Sequence, residues 1–205
     1  MKLSVFYTND CNILCEHCFL GRITEKHFMR NELLKNVLSQ AIECDIDVIS
    51  FTGGEPLLYW DNISKELNVG LLNNIKLTIS TNGFWARNED STKKMIEKLK
   101  SKNIKQIELS YDEYHAKFIP IENIYNIIDI AKIYNIVVKI IMSVSNEFSY
   151  LVLYSKLLKY ICAENIIIQK VAKFGNANNN AISSFQDINQ CIANRLRELY
   201  TKRII

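Results

Sequence analysis

The stretch "YTNDCNILCEHCFL", residues 7–20, places Cys11, Cys15 and Cys18 directly after an apolar, strand-like run, Lys2–Tyr7. Three thiols with gaps of three and two residues form a ligand pattern. It is one donor short of a closed tetrahedral site. Thiolates are soft ligands, suited to zinc, Cu(I) or iron–sulfur clusters. A structural zinc site commonly draws on two ligand pairs, and no second pair follows in this sequence. His17 is a conceivable fourth ligand, but it sits between Cys15 and Cys18 and would compete with them for space. A four-iron cluster on three thiolates keeps one iron open to an exchangeable molecule, unlike a closed four-cysteine ferredoxin site.

Working outward from the cysteines, strand-like and helix-like segments alternate. Short β-branched or apolar runs predict strands at Lys2–Tyr7, Val48–Thr52, Ile75–Ser80, Gln106–Leu109, Val137–Met142 and Asn165–Lys170. Helical periodicity predicts helices at about Asn31–Cys44, Ser64–Leu72, Glu89–Ser101, Ile121–Tyr134 and Phe148–Ile161, with a last one at about 184–200. Each strand-plus-helix unit takes roughly 30 residues, the size of a parallel βαβ unit. Six such units make either an open doubly wound sheet or an incomplete barrel. A full eight-unit barrel takes about 250 residues, more than this chain has.

The unusual residues follow the strands. The cysteines follow the first, "TGGEP" (Thr52–Pro56) the second, "STNG" (Ser80–Gly83) the third and "SYDEYH" (Ser110–His115) the fourth. "SVSN" (Ser143–Asn146) follows the fifth and "KFGNA" (Lys173–Ala177) the sixth. Parallel α/β folds bind ligands beyond the carboxyl ends of their strands. Turn chemistry alone explains any one of these segments. It explains poorly a cysteine triad, a double glycine with Glu55, and Ser-Thr-Asn-Gly all at one end. Gly53 and Gly54 permit close backbone approach to a ligand, with Glu55 adding a carboxylate that would attract an ammonium. The competing reading is a tight turn with Glu55 at a helix N-terminus.

Cys11-x-x-x-Cys15-x-x-Cys18 resembles the CxxxCxxC signature of the radical S-adenosylmethionine (radical SAM) superfamily, with His17 where that signature carries an aromatic residue. "GGEP" at Gly53–Pro56 is similar to the family's GGE motif. The resemblance runs from Lys2 to about Ala177. It implies a partial (β/α)6 TIM-like barrel with parallel strands, and a [4Fe–4S] cluster on Cys11, Cys15 and Cys18. The open iron would bind the amino and carboxylate groups of S-adenosyl-L-methionine. One electron from an external donor of flavodoxin or ferredoxin type would cleave the S–C5′ bond. The 5′-deoxyadenosyl radical so formed would abstract a hydrogen atom from a substrate. By the same resemblance, Gly53, Gly54 and Glu55 would meet the methionine ammonium. Ser80 and Asn82 would face its carboxylate or the ribose, Ser110 and Asp112 the ribose, and His17 and Phe19 the adenine. In "KFGNA", Asn176 stands where relatives often carry Arg.

The substrate expected from the resemblance is a peptide or protein. A small molecule is the alternative, and a truncated, non-catalytic iron–sulfur protein a third reading. His115 reads as a substrate-side acid–base group or as a loop residue without a role. Tyr111, Tyr114 and Phe118 read as pocket-lining or core aromatics, and His27 as a surface residue.

Composition sets the remaining bounds. The 205 residues are 48% apolar and 23% charged, ordinary for a globular protein. A net charge of +3 argues against a dedicated nucleic-acid binder. No apolar run is long enough to span a bilayer, and no secretory signal is apparent. These features predict a cytoplasmic protein, and an open, oxygen-labile cluster would imply an anaerobic setting. Cys44 and Cys162 read as small apolar residues within helices, and Cys191 as a helical core residue. The expected organisation is one core domain over 1–205, without a further cluster-bearing domain.

Overall fold

The computed structural model describes residues 1–21, 24–145, 150–171 and 175–176. Six strands form one sheet: β1 (Lys2–Thr8), β2 (Val48–Gly53), β3 (Lys76–Thr81), β4 (Ile104–Ser110), β5 (Val137–Val144) and β6 (Ile166–Lys170). Every neighbouring pair is parallel and the spatial order is β1-β2-β3-β4-β5-β6. An unbroken sequential order settles the choice left open by pattern. A doubly wound sheet reverses its order at a switch point, whereas right-handed crossovers that all step one way put every helix on one face. Among the described residues the result is an incomplete barrel, with β1 and β6 unpaired with each other.

Five helices intervene: α1 (Asn31–Glu43), α2 (Trp60–Glu66), α3 (Glu89–Ser101), α4 (Ile121–Ile133) and α5 (Leu151–Leu157). Leu34, Leu38, Ile96, Leu99, Ile124 and Ile127 project from them into the core. The strands present alternate residues to it: Val5 and Tyr7, Ile49 and Phe51, Leu77 and Ile79, Ile107 and Leu109, Ile140 and Met142. The opposite, concave face carries the other parity. There Ser50 pairs in register with Thr78, Thr78 with Gln106, Glu108 with Lys139, and Ser143 with Gln169. A closed eight-stranded barrel fills this face with branched apolar residues. Here it is polar, so the barrel interior is built to face a ligand or water.

Local chemistry fixes the ends of the elements. Asn88 and Ser91 form a reciprocal capping box at the start of α3, whose first turn is acidic and last turn basic. The turns from α1, α3 and α4 into the next strand each place Asp or Asn at positive φ: Asp45 (51°), Asn103 (61°) and Asn135 (54°). Short polar side chains tolerate that region best after glycine.

The strand expectations stand to within two residues at each end. The second helix differs. It was expected over Ser64–Leu72, but a 3₁₀ turn at Pro56–Tyr59 leads directly into Trp60–Glu66. Pro56 pre-sets the first helical φ, Glu55 caps the turn by accepting from Leu57 N–H, and the Asn68 carboxamide accepts from Gly70 N–H beyond the end. Cys44 and Cys162 are both exposed, at a helix terminus and a turn, and not apolar helix-interior residues as expected. The last helix and Cys191 lie outside the described residues.

Candidate active site

β1 ends in a register shift between Phe6 and Thr8, directly before the cysteine loop. Bulges of this kind re-aim the chain beside functional sites. The chain then doubles back, and Asn9 N–H bonds to His27 O at 3.1 Å and Met29 N–H to Tyr7 O at 2.7 Å. This return segment covers the end of the β1 edge. The loop itself is pinned to the turn after β2. Gly54 N–H donates to Thr8 O at 2.6 Å and Glu55 N–H to Asp10 O at 2.7 Å. A Cβ on Gly54 would overlap the Asp10 carbonyl, and one on Gly53, at φ 133°, the Thr8 carbonyl. The double glycine is therefore the condition for the two connections to touch.

Beyond the strand ends lies a cavity of about 340 Å³. Cys11, Cys15 and Cys18 line it, together with His17, Phe19, Gly53, Gly54, Ser80, Asn82 and Ser110. Seven of the nine residues expected at a bound small molecule thus share one cavity with the three thiols. The remaining two, Glu55 and Asp112, do not line it. The Glu55 carboxylate has no exposed surface and accepts from Leu57 N–H at 3.1 Å and Asn82 N–H at 2.8 Å. Burial pushes its pKa up to about 7, against the opposing pull of these N–H groups. The Asp112 carboxylate accepts from the N–H groups of Tyr114, His115 and Ser143 and faces the His115 ring. Both carboxylates lie behind the wall, taken up by backbone N–H groups of the surrounding connections.

The three thiols are unpaired. Burial raises Cys11 to about 11 and Cys15 to about 12, so both are neutral thiols until something takes their protons. A metal does that, since the thiolate is the ligand. The donor set is soft and lies on one side of the cavity, leaving the opposite side open. Among the described residues, only His17, Asp112 and His115 form a group of three ligand atoms within 4.8 Å of one another. The thiols are therefore spaced wider than ligands of a single ion, and a four-iron cluster fits that spacing better than zinc. The His17–Asp112–His115 group is a hydrogen-bonding hub, because backbone N–H groups already occupy both Asp112 oxygens.

Asn82 joins the parts. Its Nδ2 donates to Asn12 Oδ1 at 3.0 Å and lies 3.8 Å from Cys11 Sγ, while its Oδ1 accepts from Phe84 N–H. His17 stacks on Tyr114 with ring centroids 4.4 Å apart and meets His115 edge-on at 5.2 Å. Burial pushes the His17 imidazole below its ordinary pKa, outweighing the Asp112 charge. It is a neutral, flat surface in the wall. Tyr111 is core, with its hydroxyl on Ile119 O, Phe118 is exposed, and His27 is a surface residue. His115 lines the cavity.

Among the wall residues that carried no expected role are Ile141, Ser143, Gln169 and Lys170 of β5 and β6. Period-2 alternation along those strands was the available signal for the first three. Asn176 closes the loop from behind, donating its N–H to Cys18 O at 3.0 Å and Nδ2–H to Cys15 O at 3.2 Å.

Residues 5–118 match the family model described as "Radical SAM superfamily". The chain is 30% identical over 134 residues to YydG of Bacillus subtilis, named for peptide biosynthesis. That match covers 64% of this chain and 42% of the relative. It is 33% identical over 115 residues to a GTP 3′,8-cyclase of Clostridium botulinum, covering 54% and 34%. The fold is similar to Streptococcus suis SuiB bound to its precursor peptide SuiA. The TM-score is 0.70 at 19% identity, over 97% of this chain and 46% of SuiB. The chain spans less than half the length of these three proteins.

Proposed function

This chain belongs to the Radical SAM superfamily, and we propose that it cleaves S-adenosylmethionine at a [4Fe–4S] cluster to start hydrogen abstraction from a peptide or protein. The observation that carries this reading is the single cavity shared by Cys11, Cys15 and Cys18 with the Gly53–Gly54 backbone, Ser80, Asn82 and Ser110. Held by Cys11, Cys15 and Cys18, the cluster would supply one-electron reductive chemistry toward S-adenosylmethionine, passing on an electron from an external donor.

The chain's own residues bind, orient and enclose. Cys11, Cys15 and Cys18 hold the cluster on the β1 side. Gly53 and Gly54 bring main-chain polar groups to the cavity edge, where an amino-acid moiety is bound by its charged ends. Ser80 and Ser110 offer hydroxyls from adjacent strands to polar groups of the same molecule. His17, stacked on Tyr114, gives a flat face for a heteroaromatic ring. Glu55 and Asp112 keep these groups in place without touching the ligand.

The peptide assignment draws support from the names of YydG and of SuiB with its precursor peptide. The similarity to GTP 3′,8-cyclase favours a second reading, a small-molecule substrate. Both readings need a low-potential electron donor, proposed to be of flavodoxin or ferredoxin type, and an oxygen-poor cytoplasmic setting. Among the described residues, no helix is long and apolar enough to cross a membrane.

The test is anaerobic reconstitution with iron and sulfide, then S-adenosylmethionine and dithionite, assayed for 5′-deoxyadenosine. The expected result is product from the wild type and none from Cys15→Ala. A loaded cluster without product would sink the catalytic reading in favour of a non-catalytic iron–sulfur protein.

A further inference from the structure

Asp112 and His115 meet in the connection after β4, with His115 Nδ1 2.8 Å from Asp112 Oδ1. Burial pushes the Asp112 pKa up, but the hydrogen bonds from His115 and the electrostatic pull of the two neighbouring rings outweigh it, and the net shift is downward. An ionised carboxylate only accepts hydrogen bonds. Whenever the ring carries a single hydrogen, that hydrogen therefore sits on Nδ1 and the lone pair on Nε2. Asp112 is in turn fixed by three backbone N–H groups, those of Tyr114 (3.0 Å), His115 (3.1 Å) and Ser143 (3.1 Å). These come from the connections after β4 and from β5, so the carboxylate is not free to swing and the ring it orients is held with it.

His115 lines the cavity. Its Nε2 has no hydrogen-bond partner among the described residues, and it is not one of the enclosed polar atoms. Nε2 is thus the ring nitrogen that Asp112 leaves available on a residue of the cavity wall. The His17 ring stands edge-on to it, so a flat aromatic face and a lone pair lie side by side.

We propose that His115 Nε2 is a ligand-contacting hydrogen-bond acceptor, set in its tautomer by Asp112, for an O–H or N–H of the molecule bound in the cavity. Asp112 is its positioning residue. Two molecules bring such a donor: the nucleoside of S-adenosylmethionine, which rests on the function proposed above, and the substrate.

The full chain has only three histidines, His17, His27 and His115, so each is resolved individually. Two-bond proton–nitrogen correlation spectra, assigned with His115→Gln, report the tautomer. Diethylpyrocarbonate then probes access: an accessible imidazole lone pair forms the new N–C bond, and ethyl carbonate leaves as carbon dioxide and ethanol. Exposed His27 is the internal standard, with sites mapped by peptide mass spectrometry. The expected result is an Nδ1–H tautomer and a His115 that reacts alongside exposed His27. An Nε2–H tautomer, or an unreactive His115 beside a reactive His27, overturns the proposal.

Adding S-adenosylmethionine to the reconstituted protein separates the two sources. Protection of His115 assigns the donor to the nucleoside, and His115→Ala then weakens S-adenosylmethionine binding by about tenfold, the effect of one lost hydrogen bond. Unchanged reactivity assigns the donor to the substrate. The tautomer and access measurements use protein without a cluster, so they stand whether or not the wild type yields 5′-deoxyadenosine.

Discussion

The backbone N–H of Asn82 donates to Glu55 Oε2 at 2.8 Å, joining the connection after β3 to the connection after β2. Glu55 Oε1 accepts from Leu57 N–H at 3.1 Å, and the whole carboxylate is buried. Glu55→Leu leaves both N–H groups without an acceptor. Each unsatisfied buried donor costs about 1–3 kcal/mol, so the expected loss is roughly 2–6 kcal/mol. Glu55→Gln keeps one acceptor and falls between. Urea unfolding checks this through the midpoint at constant m-value. If Glu55→Leu unfolds at the wild-type midpoint, the carboxylate does not hold the loops together.

The same group makes stability depend on pH. Burial raises the folded-state pKa of Glu55 from 4.5 to about 7. Between those values the native state binds a proton that the unfolded chain does not. The stabilisation from this proton uptake is full below pH 4.5 and is lost as pH rises through about 7. At ~1.4 kcal/mol per pH unit, the change is on the order of 3 kcal/mol. The wild type should lose stability between pH 5 and pH 8, and Glu55→Gln should lose less. Parallel slopes in the two proteins would assign the pH dependence elsewhere.

What the residues disclosed in advance follows from spacing. The cysteine triplet and the double glycine are local patterns whose geometry needs no neighbour, so both were legible. Strand alternation likewise gave six parallel units. From the pattern of elements alone, without the family resemblance that implied a barrel, the choice between a barrel and a doubly wound sheet was not legible, because strand order is a non-local property. Nor was the orientation of Glu55 and Asp112. Each sits two residues past a strand end, where the path of the turn, and not the residue type, decides whether a carboxylate faces inward. α2 was placed too late because its apolar periodicity is weak, while Pro56 and the Glu55 cap start the turn earlier. Asn176 read as a departure from a family pattern, and its two bonds to the cysteine loop appear only in three dimensions.

Thiol reactivity separates the cysteines by environment. Cys44 and Cys162 are exposed, Cys11 and Cys18 are half-buried, and Cys15 is buried. Burial raises Cys11 to about 11 and Cys15 to about 12. Only the thiolate attacks a maleimide, so at neutral pH Cys44 and Cys162 should label first and Cys15 last, by a factor of roughly 100 or more. Cluster assembly must displace the protons of Cys11 and Cys15. Reconstitution should therefore run faster at pH 8.5 than at pH 6.5. Mass mapping of the labelled peptides reads the order. Equal rates at Cys15 and Cys44 would refute the buried, protonated state.

Asn176 bonds to the carbonyl oxygens of Cys18 and Cys15 from behind the loop. Gly175 makes the approach possible: its φ is 58°, and a Cβ there would overlap the carbonyl oxygens of Cys18 and Phe19. The chain after β6 thus braces the second and third cysteines together. Asn176→Ala removes the side-chain bond but keeps the backbone one, costing about 1 kcal/mol. Asn176→Asp places an acceptor against the Cys15 carbonyl and should cost more. Gly175→Ala forces both strain and overlap, and should cost most. Because the braced segment carries the cluster ligands, the main effect should fall on iron retention. Release of iron to a chelator from the reconstituted protein should quicken in the order wild type, Asn176→Ala, Asn176→Asp, Gly175→Ala. Unfolding of the cluster-free protein serves as the control, since a general loss of stability moves both measurements together. If the two Asn176 variants release iron at the wild-type rate, the contact is a passive packing detail, and the cysteine loop is held by its other bonds, those to Gly54, Glu55 and Asn82 among them.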